Sequence, residues 1–258
     1  MALRQGVSKG REAKLLVDCG NSRLKWGLLR ADEIVSGVSL RSSNGITESD
    51  LNGIWADLNT PRQVWIANVA GQMVADRLNA WSRTHWRITP HFVRPLAEGY
   101  GVVNGYRYPE TLGVDRWLAM IAVRHRYTLP ACIVDCGTAL TLDVLDQTGR
   151  HRGGLICPGL ALMAETLMQD TAGVRFETPA GGERGSGLAD HTGAAVYRGV
   201  RQAALGLIER TYDRYIQAEG PLSLVMTGGD AAELAPSLSV PLHLAPDLVL
   251  QGLAVVSR

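Results

Sequence analysis

No run of apolar residues among these 258 approaches the roughly 20 needed to cross a bilayer. The basic opening stretch, residues 1–14, also lacks the apolar segment of a signal peptide. The expectation is a cytoplasmic protein with residues 1–13 as a flexible N-terminal tail. A surplus of either charge is missing too: 26 Lys and Arg stand against 25 Asp and Glu, a formal net charge of +1. No global basic field therefore advertises nucleic acid or an anionic membrane, and partners must be sought locally. Cysteine is scarce. Cys19, Cys132, Cys136 and Cys157 form no C-x-x-C pair and sit at no zinc-finger spacing from a histidine, which excludes a disulfide framework and a zinc cage and leaves reduced, mostly buried thiols. Low-complexity sequence is absent as well.

What is present is ordinary for a globular chain, with 46% hydrophobic and 20% charged residues. The length suits one large or two medium domains. Apolar periodicity predicts short strands over residues 14–18 and 24–29 around the turn Cys19-Gly20-Asn21-Ser22, and an extended piece over 34–40. A short helix over 47–58, a strand over 64–69, a helix over 72–85 and a strand over 86–93 follow. Between Arg94 and Leu112 lies a Gly-, Tyr- and Pro-rich loop too long for a routine connector, which marks it for function or disorder. A helix over 114–127 comes next.

At Ala131 the pattern restarts. Strands are predicted over 132–135, 140–145 and 152–157, helices over 161–168 and 192–218, a strand over 222–226, a short helix from Asp230 and a closing helix over 248–256. Placed side by side, Leu16-Val17-Asp18-Cys19-Gly20 and Ile133-Val134-Asp135-Cys136-Gly137 share an apolar strand, an Asp, a Gly and a returning strand. The reading is an internal duplication, with an N-terminal α/β domain over 14–129 and a C-terminal one over 130–258.

A strand ending in Asp, then a Gly turn bearing Asn, Ser or Thr, offers backbone N–H groups and hydroxyls to an anion while the Asp holds a cation or its water. One such turn is also an ordinary hairpin; two in equivalent contexts point to a polyphosphate clasped by both. The stretch Leu224-Val225-Met226-Thr227-Gly228-Gly229-Asp230 is a buried strand breaking into glycines before a helix. It is a generic strand-to-helix turn on its own; after two Asp-Gly turns it is a platform that a flat adenosine ring approaches closely.

This triplet resembles the actin-like ATPase superfamily, which implies two duplicated ribonuclease H-like α/β domains with ATP in the interdomain cleft. Within it, residues 18–25 (Asp18, Gly20, Asn21, Ser22, Lys25), Tyr106, Gly113-Val114-Asp115-Arg116, Val134 to Thr138 and Gly153 to Gly159 look like type III pantothenate kinase. The resemblance implies transfer of the ATP γ-phosphoryl to the primary hydroxyl of pantothenate, the first step of coenzyme A synthesis. It makes Asp115 the proton acceptor, with Tyr106, Gly113, Val114, Arg116 and Thr192 contacting the acceptor. It also assigns ATP to Asp18, Gly20, Asn21, Ser22, Lys25, Thr138, Gly228 and Gly229, and a monovalent cation, K+ or NH4+, to Asp135, with Mg2+ accompanying ATP.

Plainer readings stand beside these. Asp115 is also an acid favouring a helix N-terminal turn, Arg116 a surface helix charge, Lys25 a solvated strand residue, and Thr192 a mere N-cap. Ser22 stands where many relatives have Thr, and the N-terminal tail precedes the usual start. Family members are commonly homodimers. The alternatives in function are a kinase for another small hydroxylated metabolite, against which Gly113-Val114-Asp115-Arg116 argues, and a regulatory accessory factor, against which the presence of Asp115 and Arg116 argues. An Hsp70-like chaperone would need a further substrate-binding domain. Segment 170–187 carries no interpretable motif.

Overall fold

The computed structural model describes residues 13–41, 45–171 and 187–258. The expected tail, up to residue 12, and most of segment 170–187 lie outside the described residues. Two compact units emerge, one made of the described residues up to Ala122 together with Asp247–Arg258, the other of Val123–Pro246.

The first unit opens with strands β1 (Lys14–Cys19), β2 (Arg23–Arg30), β3 (Glu33–Ser36) and β4 (Leu40–Arg41), then α1 (Glu48–Trp55), β5 (Gln63–Asn68), α2 (Gln72–Trp86) and β6 (His91–Phe92). A small hairpin, β7 (Glu98–Gly99) and β8 (Val102–Val103), precedes α3 (Val114–Arg126). The second unit has β9 (Ala131–Cys136), β10 (Ala139–Leu145), β11 (His151–Pro158), α4 (Leu160–Asp170), α5 (Thr192–Glu219), β12 (Ser223–Thr227), α6 (Ala231–Leu234) and β13 (Leu242–Leu244). Helix α7 (Leu248–Val256) closes the chain.

The duplication inferred from two turns extends to whole sheets. In the first, the order is β3-β2-β1-β5-β6 with β4 beside β2; in the second it is β11-β10-β9-β12-β13. The central strands β1 and β9 each pair antiparallel with the hairpin strand that follows them and parallel with β5 or β12. Both sheets thus repeat one topology, strand for strand.

Alternation along the central strands sorts their side chains by face. Leu15, Val17 and Cys19 join Leu51, Trp55, Val74, Leu78 and Trp81 in one core. Cys132, Val134 and Cys136 join Ala204, Leu205, Ile208 and Tyr212 of α5 in the other. Asp18 and Asp135, one position off that register, fall on the opposite faces. The first core is rich in indoles. Trp55 sits 6.5, 5.4 and 5.8 Å from the rings of Trp26, Trp81 and Trp86, and Trp81 Nε1 donates to Asn52 Oδ1 at 2.8 Å. Each such ring pair adds about 0.5–1.5 kcal/mol beyond its buried area. A capping box, Thr47 with Asp50, starts α1.

Two expected strands are shorter than the apolar pattern suggests. The piece over 34–40 breaks at Gly37, which passes so close to the Trp26 indole that a Cβ there would overlap the ring, while Trp26 Nε1 donates to Val38 O at 3.0 Å. The piece over 86–93 is strand only at His91–Phe92, because Trp86 belongs to α2 and packs in the indole cluster, with Arg87 ending the helix in the left-handed conformation (φ 59°). Helix α7, expected with the second domain, packs in the first unit, on β1, β2, β3 and β5. There Gly252 lies directly against the Leu118 backbone of α3.

That contact leaves no room for a methyl group, so Gly252→Ala must move one helix, a change of the kind that costs about 1–3 kcal/mol. Thermal unfolding is expected several degrees lower in this variant. Gly206→Ala, in open space on an exposed face of α5, is expected to match or exceed wild type through helix propensity. Equal midpoints for the two variants would contradict the α3–α7 packing.

Candidate active site

In the first unit the β1–β2 turn closes by Gly20 N donating to Arg23 O at 2.9 Å, leaving Asn21 and Ser22 exposed at its tip. Asp18, in the penultimate position of β1, lies opposite Lys25 on β2 and Ala67 on β5. The register puts the carboxylate and the ammonium on one face of neighbouring strands, beside a tip rich in hydrogen-bonding groups.

The second turn is held more tightly. Gly137 N donates to Ala139 O at 3.1 Å, and Thr138 is exposed at the tip. Asp135 lies opposite Thr141 on β10 and Thr227 on β12. Gly228, immediately after Thr227, has φ +95°, and a Cβ there would overlap the Cys136 carbonyl and lie 2.5 Å from Asp135 Oδ1. Asp230 N donates to Cys136 O at 3.0 Å, and Gly159 N donates to Thr138 O at 2.8 Å. Gly159 tolerates no side chain, because its Cβ would overlap the Gly137 carbonyl oxygen. The fold therefore brings Asp135, Thr138, Gly228 and Gly229 together, three backbone segments in contact where only glycine fits. From α5, Arg201 reaches Glu233 O and Ser237 Oγ, and Tyr197 OH meets the Glu233 carboxylate, so side chains one turn apart clasp α6 behind the glycines.

The 94–112 loop is ordered. Its β7–β8 hairpin turns at Tyr100 and Gly101, both at positive φ (53° and 76°), as a two-residue type I′ turn requires. Tyr106 then meets the start of α3. Arg116, 6% exposed, donates from Nη1 to Tyr106 Oη at 2.6 Å, with its guanidinium carbon 5.4 Å from the tyrosine ring centroid. A charge so buried needs such partners. Asp115 Oδ1 accepts the Arg116 N–H at 2.8 Å, and a Cβ at Gly113 would lie 2.5 Å from that same oxygen. Gly113 thus leaves room for the carboxylate to curl back over the first turn of α3, where Trp117 N donates to Gly113 O at 3.0 Å.

A cavity of about 690 Å³ in this unit is lined by Asn68, Val69, Gln72, Arg94, Gly113 and Val114, among others; Tyr106, Asp115 and Arg116 are not part of its wall. Thr192 is elsewhere, in the second unit, as the first residue of α5. It is exposed and borders an apolar cavity of about 850 Å³ with Pro158, Leu167 and His191. The N-cap is His191, whose ring accepts from Ala194 N at 3.4 Å, so capping is not the role of Thr192. Sequence reasoning gave Gly159 only as the end of the 153–159 motif, with no role of its own, and passed over Asn104, a loop residue whose hydrogen bonds to distant backbone leave no local sequence signal.

Repeated sheets of this topology, each ending its central strand in an Asp-Cys-Gly turn, define an actin-like ATPase fold. Its solved relatives include a Campylobacter jejuni protein assigned to the Baf family of transcriptional activators (TM-score 0.59, 21% identity, 94% of this chain and 97% of that one). Another is the activator of 2-hydroxyisocaproyl-CoA dehydratase from Clostridium difficile with bound ADPNP (TM-score 0.51, 13% identity, 95% and 93%). Within this class the chain belongs to the type III pantothenate kinase family, whose model matches residues 14–214. It is 44% identical over 251 residues to the type III pantothenate kinase of Nitrosococcus oceani, covering 95% of this chain and 93% of that protein. It is 36% identical over 256 residues to that of Nitrosomonas eutropha, covering 95% and 94%. The chain is accordingly a kinase.

The cysteines of the two turns serve packing. Burial, then the neighbouring Asp18, pushes the Cys19 thiol up to about 12; burial, then Asp143, does the same to Cys132. Cys136 is raised by burial, then by Asp135 and Asp230. Cys157, only part-buried, is raised by its partial burial. Folded thiols thus keep protons that unfolded ones release near 9, so stability present below that pH is lost as pH rises from about 9 toward 12. In the native protein at pH 8 a disulfide-exchange reagent is expected to titrate at most Cys157 within minutes, with all four reacting only in denaturant. The urea midpoint should fall between pH 8 and pH 10. Rapid labelling of Cys19 or Cys136 would show that these turns are open to solvent.

Proposed function

We propose that this chain transfers the γ-phosphoryl of ATP to pantothenate, giving 4′-phosphopantothenate at the entry to coenzyme A synthesis. The observation that carries the reading is the start of α3. There a carboxylate, a buried arginine and a phenol are fixed together next to a cavity bordered by Gly113 and Val114, in a chain of the pantothenate kinase family. Phosphoryl transfer asks mostly for positioning and charge neutralisation, plus a group to take the hydroxyl proton. Asp115 is that group. Arg116 and Tyr106 hold the acceptor, its carboxylate being a natural partner of a guanidinium. Gly113 and Val114 form its wall; for the Thr192 hydroxyl, which borders the cavity of the second unit, only the family resemblance speaks.

On the donor side, Asn21, Ser22, Lys25 and Thr138 hold phosphate oxygens, while the backbone at Gly20, and Asp18 through a metal or its water, complete the grip. Gly228 and Gly229 admit the adenosine, a role supported by the absence of room for any Cβ at Gly228. Asp135 holds the monovalent cation. Among the described residues no group of three or more His, Cys, Asp or Glu forms a metal cage. In this reading K+ or NH4+ takes a single carboxylate with neutral oxygens, and Mg2+ arrives on the nucleotide, as such ions usually do. Bound there, Mg2+ neutralises phosphate charge. The compartment we assign is the cytoplasm, where thiols stay reduced; no described helix is long and apolar enough to cross a membrane.

The chain acts as a homodimer in this reading. Leu155 and Ile156, 46% and 61% exposed on the sheet-edge strand β11, and Leu162 and Leu167 on α4, present apolar side chains to solvent; a covering partner would relieve that exposure.

Incubated with ATP, Mg2+, K+ and pantothenate, the protein is expected to yield phosphopantothenate detectable by mass; no product from folded protein would overturn the activity. Asp115→Asn should cut turnover about a hundredfold or more, and undiminished turnover would remove Asp115 from the role of base. Exchanging K+ for Na+ should slow the wild type; indifference would remove the cation from Asp135. Light scattering is expected to give twice 27.8 kDa, and Ile156→Glu with Leu162→Glu should return the monomer mass; an unaltered dimer places the interface elsewhere.

A further inference from the structure

We infer that Asn104 is the positioning residue of the acceptor site, setting Tyr106 and the entry to Gly113 through one side-chain amide. The inference rests on the acceptor reading of Tyr106, Gly113 and Arg116. Asn104 is 7% exposed, the one buried polar side chain in a loop whose other buried residues, Val102 and Leu112, are apolar. Its backbone N–H donates to Ala97 O at 2.9 Å, one step beyond the β7–β8 ladder. Its Nδ2 donates to Leu96 O and to Pro109 O, both at 3.2 Å, and its Oδ1 accepts from Tyr106 N at 3.0 Å. Three points of the loop, at positions 96, 106 and 109, are therefore held by one planar group.

Only an amide of this length meets the demand, because the two carbonyls need donors and the N–H needs an acceptor. Pro109 O also accepts from Leu112 N at 3.3 Å, and Leu112 precedes Gly113. One arm of Asn104 thus fixes the turn through which the chain enters α3. The other fixes the backbone of Tyr106, whose hydroxyl and ring hold Arg116. A buried network of this kind fails as a unit when one member is deleted, since each orphaned group keeps its desolvation penalty. Site geometry is sensitive to displacements on the order of 1 Å.

The test measures both substrates in Asn104→Ala and in Asn104→Asp. The second is isosteric and keeps the acceptor for Tyr106 N–H, but turns an oxygen on the two carbonyls. Expected is a fall of about 10- to 100-fold in kcat/KM for pantothenate in both variants, with the KM for ATP and the binding of a fluorescent ATP analogue within about twofold of wild type. In a Tyr106→Ala background, which has already lost one of the groups being positioned, Asn104→Ala should cost clearly less than it does alone, the remainder coming from the turn at Pro109. A pantothenate kcat/KM near wild type in either folded variant would overturn the inference. So would a loss shared equally by ATP, or full additivity with Tyr106→Ala; these are the marks of general loop destabilisation. Should Asn104→Ala not fold, the isosteric variant decides alone. A wild type that makes no phosphopantothenate sinks the acceptor reading itself, whereas an active wild type beside an equally active Asn104→Asp sinks only the role of Asn104.

Discussion

Each sheet hangs on a central strand bonded antiparallel on one side and parallel on the other. The antiparallel partner returns through a tight turn, and the parallel partner ends at the same edge. The last residues of β1 therefore lie beside those of β5, and the last of β9 beside those of β12. Whatever leaves the parallel strand must pass the turn at backbone distance. In the second unit that passage is Thr227-Gly228, pressed on Cys136 and Asp135. Side-chain alternation does the rest, because a shift of one residue would send the cysteine out and the aspartate into the apolar core. The strand itself thus aims Asp18 and Asp135 away from the indole and α5 cores, before any ligand is considered.

The two turns are equivalent in topology and unequal in constraint. Gly20 is close to Arg23 O, 3.3 Å from a Cβ position, and keeps an ordinary backbone conformation. The second turn has backbone on two sides, from Gly159 and Gly228, and a carboxylate oxygen in the same space. Copies of one ancestral hairpin carry different loads: the first keeps polar side chains at its tip, and the second has become a packed junction of three segments. The Tyr197 and Arg201 clasp on α6 belongs to that second task, since a glycine pair has little stiffness of its own and needs neighbours to hold it.

Much of this was legible in residue patterns. Strand and helix positions followed from apolar periodicity, and the duplication from two short matching segments, because a buried strand ending in Asp-Cys-Gly is a local signal. Legibility failed where a distant side chain intervened. The indole of Trp26 splits the expected strand at Gly37, and the demand of the tryptophan cluster draws Trp86 into α2 instead of the next strand. Closing helix α7 reads correctly as a helix, yet its place against α3 depends on Gly252, which to sequence is only a weak helix former. At the site, the Gly113-Val114-Asp115-Arg116 signature was readable as a motif. The 94–112 loop was readable as long, rich in Gly, Tyr and Pro and marked for function or disorder; that it is ordered was not, since part of what holds it is the bonding of one asparagine to carbonyls that carry no side-chain signature.

Arg116 explains why that loop must be ordered at all. Burying a guanidinium costs several kcal/mol unless its hydrogen-bonding groups are met, and Tyr106 supplies both an acceptor and an aromatic face. A phenol is neutral, so it orients the guanidinium without cancelling its charge, as an aspartate in the same place would. The phenol holds direction only if its own backbone is fixed. The order of the loop is therefore a requirement set by the guanidinium it helps to bury.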